Sequence, residues 1–146
     1  MNLYPALRPL LFNMDAENSH DLVLKALSKV GRPIARLCPT PSSALLSQPI
    51  DLMGLRFPNP LGLAAGLDKN ASCGPAFASM GFGFLELGTV TPKPQPGNPK
   101  PRMFRIPESR SIINRMGFNS CGLETFLENL QGNRPSGIIG INLGKN

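Results

Sequence analysis

Residues 59–70 read Asn-Pro-Leu-Gly-Leu-Ala-Ala-Gly-Leu-Asp-Lys-Asn, and this stretch decides the fold of the chain. Its apolar run at 61–65 ends in Gly66, a pattern that predicts a short buried strand followed by a tight turn. Small residues at the end of this strand would let a flat ligand approach the backbone. Asp68 and Lys69 follow in the loop, where Lys69 supplies a positive charge for an anionic group. An Ala/Gly packing position with a solvated Asp-Lys pair explains the same residues without a ligand.

Two further apolar runs predict buried strands at 84–90 and 138–143, and a helix is predicted at 71–80. A strand, a helix and a second strand in this order form a βαβ unit, so the strands should be parallel. Three parallel strands make an open sheet, whereas a (β/α)8 barrel takes about 250 residues. We therefore expect the chain to be a fragment of a longer protein.

The other residues after position 48 predict shorter elements joined by many turns, since the chain holds 15 glycines and 16 prolines. Five of the prolines fall between Pro92 and Pro101, which indicates an irregular loop. The other predicted elements are a small hairpin (51–53 with 55–57), two short strands (102–106 and 111–113) and a helix (122–131).

Residues 1–48 form a separate unit with two amphipathic helices, and the body begins at residue 49. Pro9 is acceptable in the first helix only at its first turn; further inside, it would kink the helix. The apolar face of the first helix is formed by Leu3, Leu7, Leu10, Leu11 and Met14.

For the second helix, Asp15 is the predicted N-cap, and Gly31 followed by Pro33 is the predicted stop. Residues 39–43 (Pro-Thr-Pro-Ser-Ser) predict a linker. Two short helices bury little area between themselves, so their apolar faces must meet the following domain, a partner or a bilayer surface. The face of the second helix is formed by Val23, Leu27 and Val30, with His20 and Leu24 beside it.

The net charge of +6 raises the question of nucleic-acid binding. The sequence shows no basic helix, helix-turn-helix pattern or aromatic stacking platform, so an anionic small ligand or an acidic membrane surface fits better. The three cysteines (Cys38, Cys73 and Cys121) lack metal-ligand spacing, and their odd number indicates reduced thiols. No apolar run approaches the roughly 18–20 residues of a membrane span.

Three other polar positions are candidates for a site. Thr89 ends the second strand, although a β-branched residue also simply stabilises a strand. Residues 114–119 (Asn-Arg-Met-Gly-Phe-Asn) offer amides suited to an imide edge, or form an ordinary loop. Asn142 lies in an apolar strand and needs a polar partner. His20 has no acid–base partner, so packing or capping is the favoured interpretation.

The amino-acid sequences of segments 59–70, 89–102 and 114–119, and the order of these segments, resemble those of class 2 dihydroorotate dehydrogenases. The resemblance covers nearly the whole chain. It implies an α/β fold in which a two-helix extension precedes the first part of a (β/α)8 TIM barrel. It also implies an FMN-dependent oxidation of dihydroorotate to orotate, in pyrimidine synthesis, with a quinone as electron acceptor.

The resemblance assigns site residues within this chain. It implies no catalytic residue here, because the family's base lies in a later segment. The residues implied to contact FMN are Ala65, Gly66, Leu67, Asp68, Lys69, Thr89 and Asn142. Those implied to contact the substrate are Lys69, Asn114, Arg115, Met116, Gly117 and Phe118.

The front helices are implied to form a peripheral membrane extension that opens a quinone tunnel, on the cytoplasmic face of the bacterial inner membrane. We expect residues 1–146 alone to be inactive. The alternatives are a non-catalytic membrane-binding fragment and another FMN barrel with a different substrate. The 114–119 loop and the front extension argue against the second alternative.

Overall fold

A computed structural model describes residues 4–35 and 47–146. Leu3, Cys38 and the linker predicted at 39–43 lie outside the described residues. In chain order the elements are α1 (Tyr4–Phe12), α2 (Ala16–Ala35), β1 (Ile50–Leu52), β2 (Leu55–Phe57), β3 (Gly62–Leu63), α3 (Gly74–Ala78), β4 (Phe84–Val90), β5 (Met103–Ile106), a 3-10 turn (Pro107–Ser109), β6 (Ser111–Asn114), α4 (Leu123–Gly132) and β7 (Ile138–Leu143).

Helix α1 contains Pro9 well beyond its first turn. The proline removes the N–H that would bond the Pro5 carbonyl, but the helix continues, and the Asn13 amide donates to the Pro9 carbonyl at 3.1 Å. Leu7 and Leu10 are 50% and 64% exposed, whereas Leu11 is half-buried. The predicted apolar face therefore turns only partly toward the body.

Helix α2 begins where the sequence predicts but ends later. The Asp15 carboxylate accepts the amides of Glu17 and Asn18 at 3.0 Å, which confirms the N-cap. The predicted stop at Gly31 is wrong, because the helix continues through Pro33 to Ala35. Gly31 lies close to Ala76 of α3, so packing between these helices outweighs the local helix-breaking signal.

The buried face of α2 also differs from the predicted one. Leu27 is buried, as expected, but Val23 and Val30 are 39% and 48% exposed. Ala16 and Ser19 are buried instead. The helix is thus rotated from the predicted orientation, and it leaves apolar side chains in solvent.

The β1–β2 hairpin is confirmed, with its first strand shifted by one residue. Met53 and Gly54, at φ 52° and 74°, form the two-residue turn that favours tight hairpins. Phe57 of β2 packs edge-to-face on Phe84 of β4, with ring centroids 5.3 Å apart. The hairpin thereby contacts the sheet at the first residue of β4.

The main sheet has the order β3-β4-β7 with all strands parallel, which confirms the predicted α/β class. Leu85 and Leu87 of β4 are buried beside Phe77 of α3 and Phe126 of α4. These four side chains form the centre of the core. Strand and helix alternate as the sequence predicts, so the carboxyl ends of the strands meet at one edge.

Several elements of the body are shorter or more exposed than predicted. The strand expected at 61–65 spans two residues, and the helix expected at 71–80 spans five. Ala71 has a φ of 56°, which a right-handed helix does not allow, so the predicted helix begins only at Gly74. The sequence predicts that β7 is buried, but Ile141 and Leu143 are 44% and 75% exposed, so the strand is only partly buried.

A buried ion pair joins the front helices to the body. Glu17 of α2 and Arg102 are 5% and 7% exposed, and Arg102 Nη2 donates to Glu17 Oε1 at 2.7 Å. Arg102 Nε contacts both carboxylate oxygens at 3.2 Å, and Lys100 Nζ lies 3.3 Å from Oε1. The Arg102 hydrogen bonds lower the pKa of Glu17 against the opposing effect of burial. Arg105 adds a bond of 2.7 Å to the Met14 carbonyl.

We expect Glu17→Gln to lower the free energy of unfolding by about 3 kcal/mol, because Arg102 is left buried without its counter-charge. Asp51→Asn is the matched control, since its ion pair with Arg56 is exposed and contributes less than about 1 kcal/mol. Urea unfolding at neutral pH measures both.

The pH dependence gives a second check. A carboxyl group whose pKa is lower in the folded than in the unfolded state stabilises the fold at pH values above its ordinary pKa. This contribution to the free energy of unfolding is lost as the pH falls through the pKa of the folded state. The difference between the Glu17→Gln and wild-type proteins should therefore shrink in acid. Equal effects of the two substitutions at neutral pH would refute the assignment.

Candidate active site

A cavity of about 370 Å³ opens between α2, the loop after β3, the end of β4 and the 114–119 loop. This is the edge where the sequence predicts a site. The predicted residues that line it are Gly66, Leu67, Asp68, Lys69, Thr89, Asn114, Met116, Gly117 and Phe118.

Asp68 builds the floor of this cavity. Its carboxylate is 1% exposed and accepts the amides of Ser72 and Cys73 at 2.9 and 2.8 Å. Its carbonyl accepts the Gly88 amide at 3.2 Å, and the Gly66 amide donates to the Gly88 carbonyl at 2.7 Å. The Asp68 side chain is therefore occupied within the protein, and its position fixes the backbone beside Lys69.

Lys69 places an ammonium group in the cavity wall. Its Nζ donates to Asn119 Oδ1 at 2.6 Å, and no ion pair joins it to a carboxylate within 4–35 and 47–146. Burial lowers the pKa of Lys69, and the positive charge of Arg102 lowers it further. The amine thus has a charge that a carboxylate-bearing ligand would neutralise.

The 114–119 loop rests on the proline-rich loop beside it. Asn98 donates its backbone amide to the Met116 carbonyl at 3.0 Å and its side-chain amide to the Arg115 carbonyl at 2.7 Å. Arg102 in turn donates to the carbonyls of Pro96 and Asn98 at 2.5 and 2.9 Å. The ion pair at Glu17 therefore supports the loop that closes the cavity.

Thr89 connects the cavity to the end of β7. Its hydroxyl donates to Asn142 Oδ1 at 2.5 Å, and Asn142 Nδ2 donates to Glu86 Oε1 at 3.1 Å. Thr89 lines the cavity, while Asn142 lies behind it. The predicted polar partner of Asn142 is thus found within the protein.

The structure brings most predicted site residues together, but three do not line the cavity: Ala65, Asn142 and Arg115. The Arg115 guanidinium donates instead to the Pro101 carbonyl at 3.1 Å. Sequence reasoning missed Asn119, although it completes the quoted 114–119 block. It also missed that Glu17 and His20 of α2 line the cavity, because no local pattern brings α2 here.

The described cysteines are poor candidates for a base. Burial raises the pKa of the Cys73 thiol, which donates to the Leu24 carbonyl at 3.2 Å. Burial also raises the pKa of Cys121. Within the described residues, no group of three or more His, Cys, Asp or Glu side chains is arranged to hold a metal ion.

A second cavity, of about 630 Å³, lies against the first and is lined mainly by apolar side chains of α1 and α2. Leu11, Val23 and Leu27 contribute to its wall. Gly66 and Leu67 line both cavities, as do His20, Leu24 and Met103. A polar chamber and an apolar chamber therefore share one wall.

The family profile for dihydroorotate dehydrogenase matches residues 48–146. The chain belongs to the dihydroorotate dehydrogenase family. It is 56% identical over 144 residues to the Chromobacterium violaceum protein named dihydroorotate dehydrogenase (quinone), covering 99% of this chain and 41% of that protein. The Aromatoleum aromaticum protein of the same name is 55% identical, with 99% and 40% covered.

Solved structures of dihydroorotate dehydrogenases share this fold. The Eimeria tenella enzyme in complex with ferulenol superposes with a TM-score of 0.77 at 38% identity, covering all of this chain and 40% of that one. Its ligand-free form gives 0.75 at 42% identity, with 90% and 38% covered. The chain thus spans about two fifths of the length of these dihydroorotate dehydrogenases.

Gly117→Ala should destabilise this chain more than Gly54→Ala. Both glycines have positive φ, which costs an alanine about 1–2 kcal/mol. An added Cβ at Gly117 would also lie 2.7 Å from the Asn98 backbone nitrogen, whereas nothing lies within 4 Å at Gly54. The crowding should add about 1–3 kcal/mol. Urea unfolding and limited proteolysis of the loop measure this; equal costs would contradict the packing described.

Proposed function

We propose that this chain supplies the N-terminal part of a class 2 dihydroorotate dehydrogenase, which oxidises dihydroorotate to orotate with FMN and passes the electrons to a quinone. The observation that carries the proposal is the pair of cavities, one polar and one apolar, sharing a wall at Gly66 and Leu67. In the complete enzyme the parallel sheet would continue into a (β/α)8 barrel, and residues 1–48 would form a front extension whose helix α2 packs against it.

Dihydroorotate bears a carboxylate and an imide, and the polar cavity offers groups for both. Lys69 supplies a positive charge for the carboxylate. Asn114 and Asn119 offer amides that donate and accept, as an imide edge requires. Met116, Gly117 and Phe118 would cover the substrate. Arg115 would act indirectly, by holding the loop on Pro101.

The residues at the strand ends fit a flavin ring. An added Cβ on Gly66 would meet nothing within 4 Å, so a flat group has room to lie on this backbone. Lys69 and Thr89 offer polar contacts at its edge, with Asn142 orienting the Thr89 hydroxyl. Ala65, Leu67 and Asp68 would shape the surrounding backbone. When bound, FMN accepts the hydride that the substrate loses.

The apolar cavity suits a quinone. Its walls on α1 and α2 are mainly hydrocarbon, and it meets the polar cavity at Gly66, so ligands in the two chambers would approach each other there. Leu7 and Leu10 of α1, with Leu22 and Val30 of α2, present apolar surface to solvent. None of the described helices is both long and apolar enough to cross a bilayer. We propose peripheral attachment, on the cytoplasmic face of the bacterial inner membrane.

In the complete enzyme, Lys69→Ala should lower turnover per substrate concentration more than Thr89→Ala. Losing a charged partner of an anionic substrate costs about 1.5–3 kcal/mol, against about 0.5–1.5 kcal/mol for a neutral hydrogen bond. Burial lowers the pKa of Lys69, so its amine loses its charge at a lower pH than an ordinary lysine does. The KM of the wild-type enzyme for dihydroorotate should therefore begin to rise at that lower pH. This alkaline rise should be absent in Lys69→Ala. Equal losses in the two variants would count against the assignment.

Leu7→Glu with Leu10→Glu should reduce co-sedimentation of the protein with lipid vesicles. Both side chains are at least half exposed on α1, and each charge opposes burial in a bilayer surface. Leu127→Glu on α4 is a control of similar exposure, at 43%, outside the front helices. Unchanged vesicle binding in the double variant would eliminate α1 as a membrane-binding element.

We also propose that residues 1–146 do not oxidise dihydroorotate alone. The relatives are more than twice as long, and the resemblance assigns the base to a later segment. The purified chain with excess FMN should show no dihydroorotate-dependent reduction of a quinone-coupled dye. Turnover near that of a full-length enzyme would disprove this.

A further inference from the structure

The side chain of Asn119 meets the ammonium group of Lys69 at the wall of the polar cavity. Lys69 Nζ donates to Asn119 Oδ1 at 2.6 Å, although the two residues are 50 positions apart in the sequence. An amide oxygen accepts this bond without bringing a negative charge, so it orients the ammonium group but does not neutralise it. A carboxylate in its place would compete with an anionic substrate. The contact therefore leaves the charge of Lys69 to a ligand.

The backbone on both sides of Asn119 is fixed by Gln95 of the proline-rich loop. The Gln95 amide donates to the Ser120 carbonyl at 3.0 Å, and the Ser120 amide donates to the Gln95 carbonyl at 2.9 Å. The side-chain nitrogen of Gln95 donates to the Phe118 carbonyl at 2.9 Å. Residues 118 and 120 are thus bonded to one neighbour, so the Asn119 side chain extends from a fixed backbone position.

Gly97 leaves the space that the Asn119 side chain occupies. A Cβ added at Gly97 would lie 3.0 Å from the Asn119 Cβ and 2.9 Å from Arg102 Nη1, closer than ordinary van der Waals contact. The Lys69 end of the contact is fixed as well, by the bonds of Asp68 described above. The structure therefore holds both partners in place before a ligand arrives, which lowers the entropic cost of binding.

The electrostatic surroundings of Lys69 come mainly from other elements. Titratable side chains in or behind the cavity wall are Asp68, Arg102 and, from α2, Glu17, His20 and Asp21. Glu17 is paired with Arg102, and the Asp68 carboxylate accepts backbone amides. Asn119 adds no charge to this set. A charge introduced at position 119 would therefore change the field at Lys69 in a known direction.

We propose that Asn119 is a positioning residue for dihydroorotate oxidation, which holds the Lys69 ammonium group toward the substrate carboxylate. The proposal rests on the function proposed above and assigns a role to a residue outside the substrate contacts that the resemblance implies. Because Asn119 Oδ1 is engaged by Lys69, only the NH2 group of Asn119 is left for the imide edge. Asn119 thus acts on the substrate chiefly through Lys69.

The test is a double-mutant cycle in the complete enzyme, with Asn119→Leu, Lys69→Ala and the double variant. Leucine is close to asparagine in size but accepts no hydrogen bond. Calorimetry gives the Kd of orotate, and steady-state kinetics give KM and kcat for dihydroorotate. Asn129→Leu is the matched control, since Asn129 is also half-buried and its side chain donates to the carbonyl of Asn70, next to Lys69, at 3.0 Å.

Asn119→Leu should raise the Kd of orotate and the KM for dihydroorotate roughly tenfold, as expected when a hydrogen bond to a charged group is lost. The kcat should fall less, because a charge on the substrate carboxylate acts on the ground state and the transition state alike. In the Lys69→Ala background the same substitution should have little further effect, since its target is absent. Asn129→Leu should change all three constants much less.

The pH dependence of KM should move in opposite directions in two variants. Asn119→Leu removes an acceptor that favours the charged amine, so KM should begin to rise at a lower pH than in the wild type. Asn119→Asp keeps an oxygen and adds a negative charge beside Lys69, so the rise should begin at a higher pH. Its KM at neutral pH should also increase, because the new carboxylate competes with the substrate.

Additive losses in the cycle would overturn the proposal, because Asn119 would then act independently of Lys69. Equal losses in Asn129→Leu would reduce the effect to general support of the loop. Should Asn119→Leu fail to fold by circular dichroism, Asn119→Asp carries the test, and an unshifted pH dependence would refute the role. Normal orotate binding in Asn119→Leu, with weak binding in Lys69→Ala, would refute this proposal alone. A wild-type enzyme inactive toward dihydroorotate would refute the proposed function as well.

Discussion

The buried ion pair between Glu17 and Arg102 is the contact on which the arrangement of the site depends. Burying two charges is costly, and only close geometry with further hydrogen bonds offsets the cost. Arg102 meets this condition by bonding the carbonyls of Pro96 and Asn98 as well as Glu17. One guanidinium therefore joins the front helix, the proline-rich loop and, through Asn98, the loop that covers the cavity.

The parts of the fold with local causes could be predicted from the sequence. The apolar runs predicted the parallel sheet, and Asp15 predicted the start of α2. The end of α2 could not be predicted, because contact with α3 outweighs Gly31 and Pro33. The Glu17–Arg102 pair joins residues 85 positions apart, and no short-range pattern reveals such a pairing. For the same reason the lining of the cavity by His20 was missed.

The two adjoining cavities divide the chemistry by polarity. Lys69 and the asparagines of the 114–119 loop line the polar one, while leucines and Val23 of the front helices line the apolar one. The shared wall at Gly66 and Leu67 comes from the stretch that decides the fold. The front helices are thus structural parts of the site, and they also expose apolar surface to solvent.

The bonds of Asp68 make one side of the polar cavity stiff. Its carboxylate accepts an amide at the start of α3 while its carbonyl accepts an amide of β4, so the backbone next to Lys69 is tied to a helix and a strand together. The opposite side is held at its tip by a side-chain bond, from Gln95 Nε2 to the Phe118 carbonyl at 2.9 Å, and the Phe118 side chain is 65% exposed at φ 53°. Motions that admit and release a ligand should therefore be concentrated in the exposed Phe118 side chain, with the backbone at Lys69 as a stationary reference point.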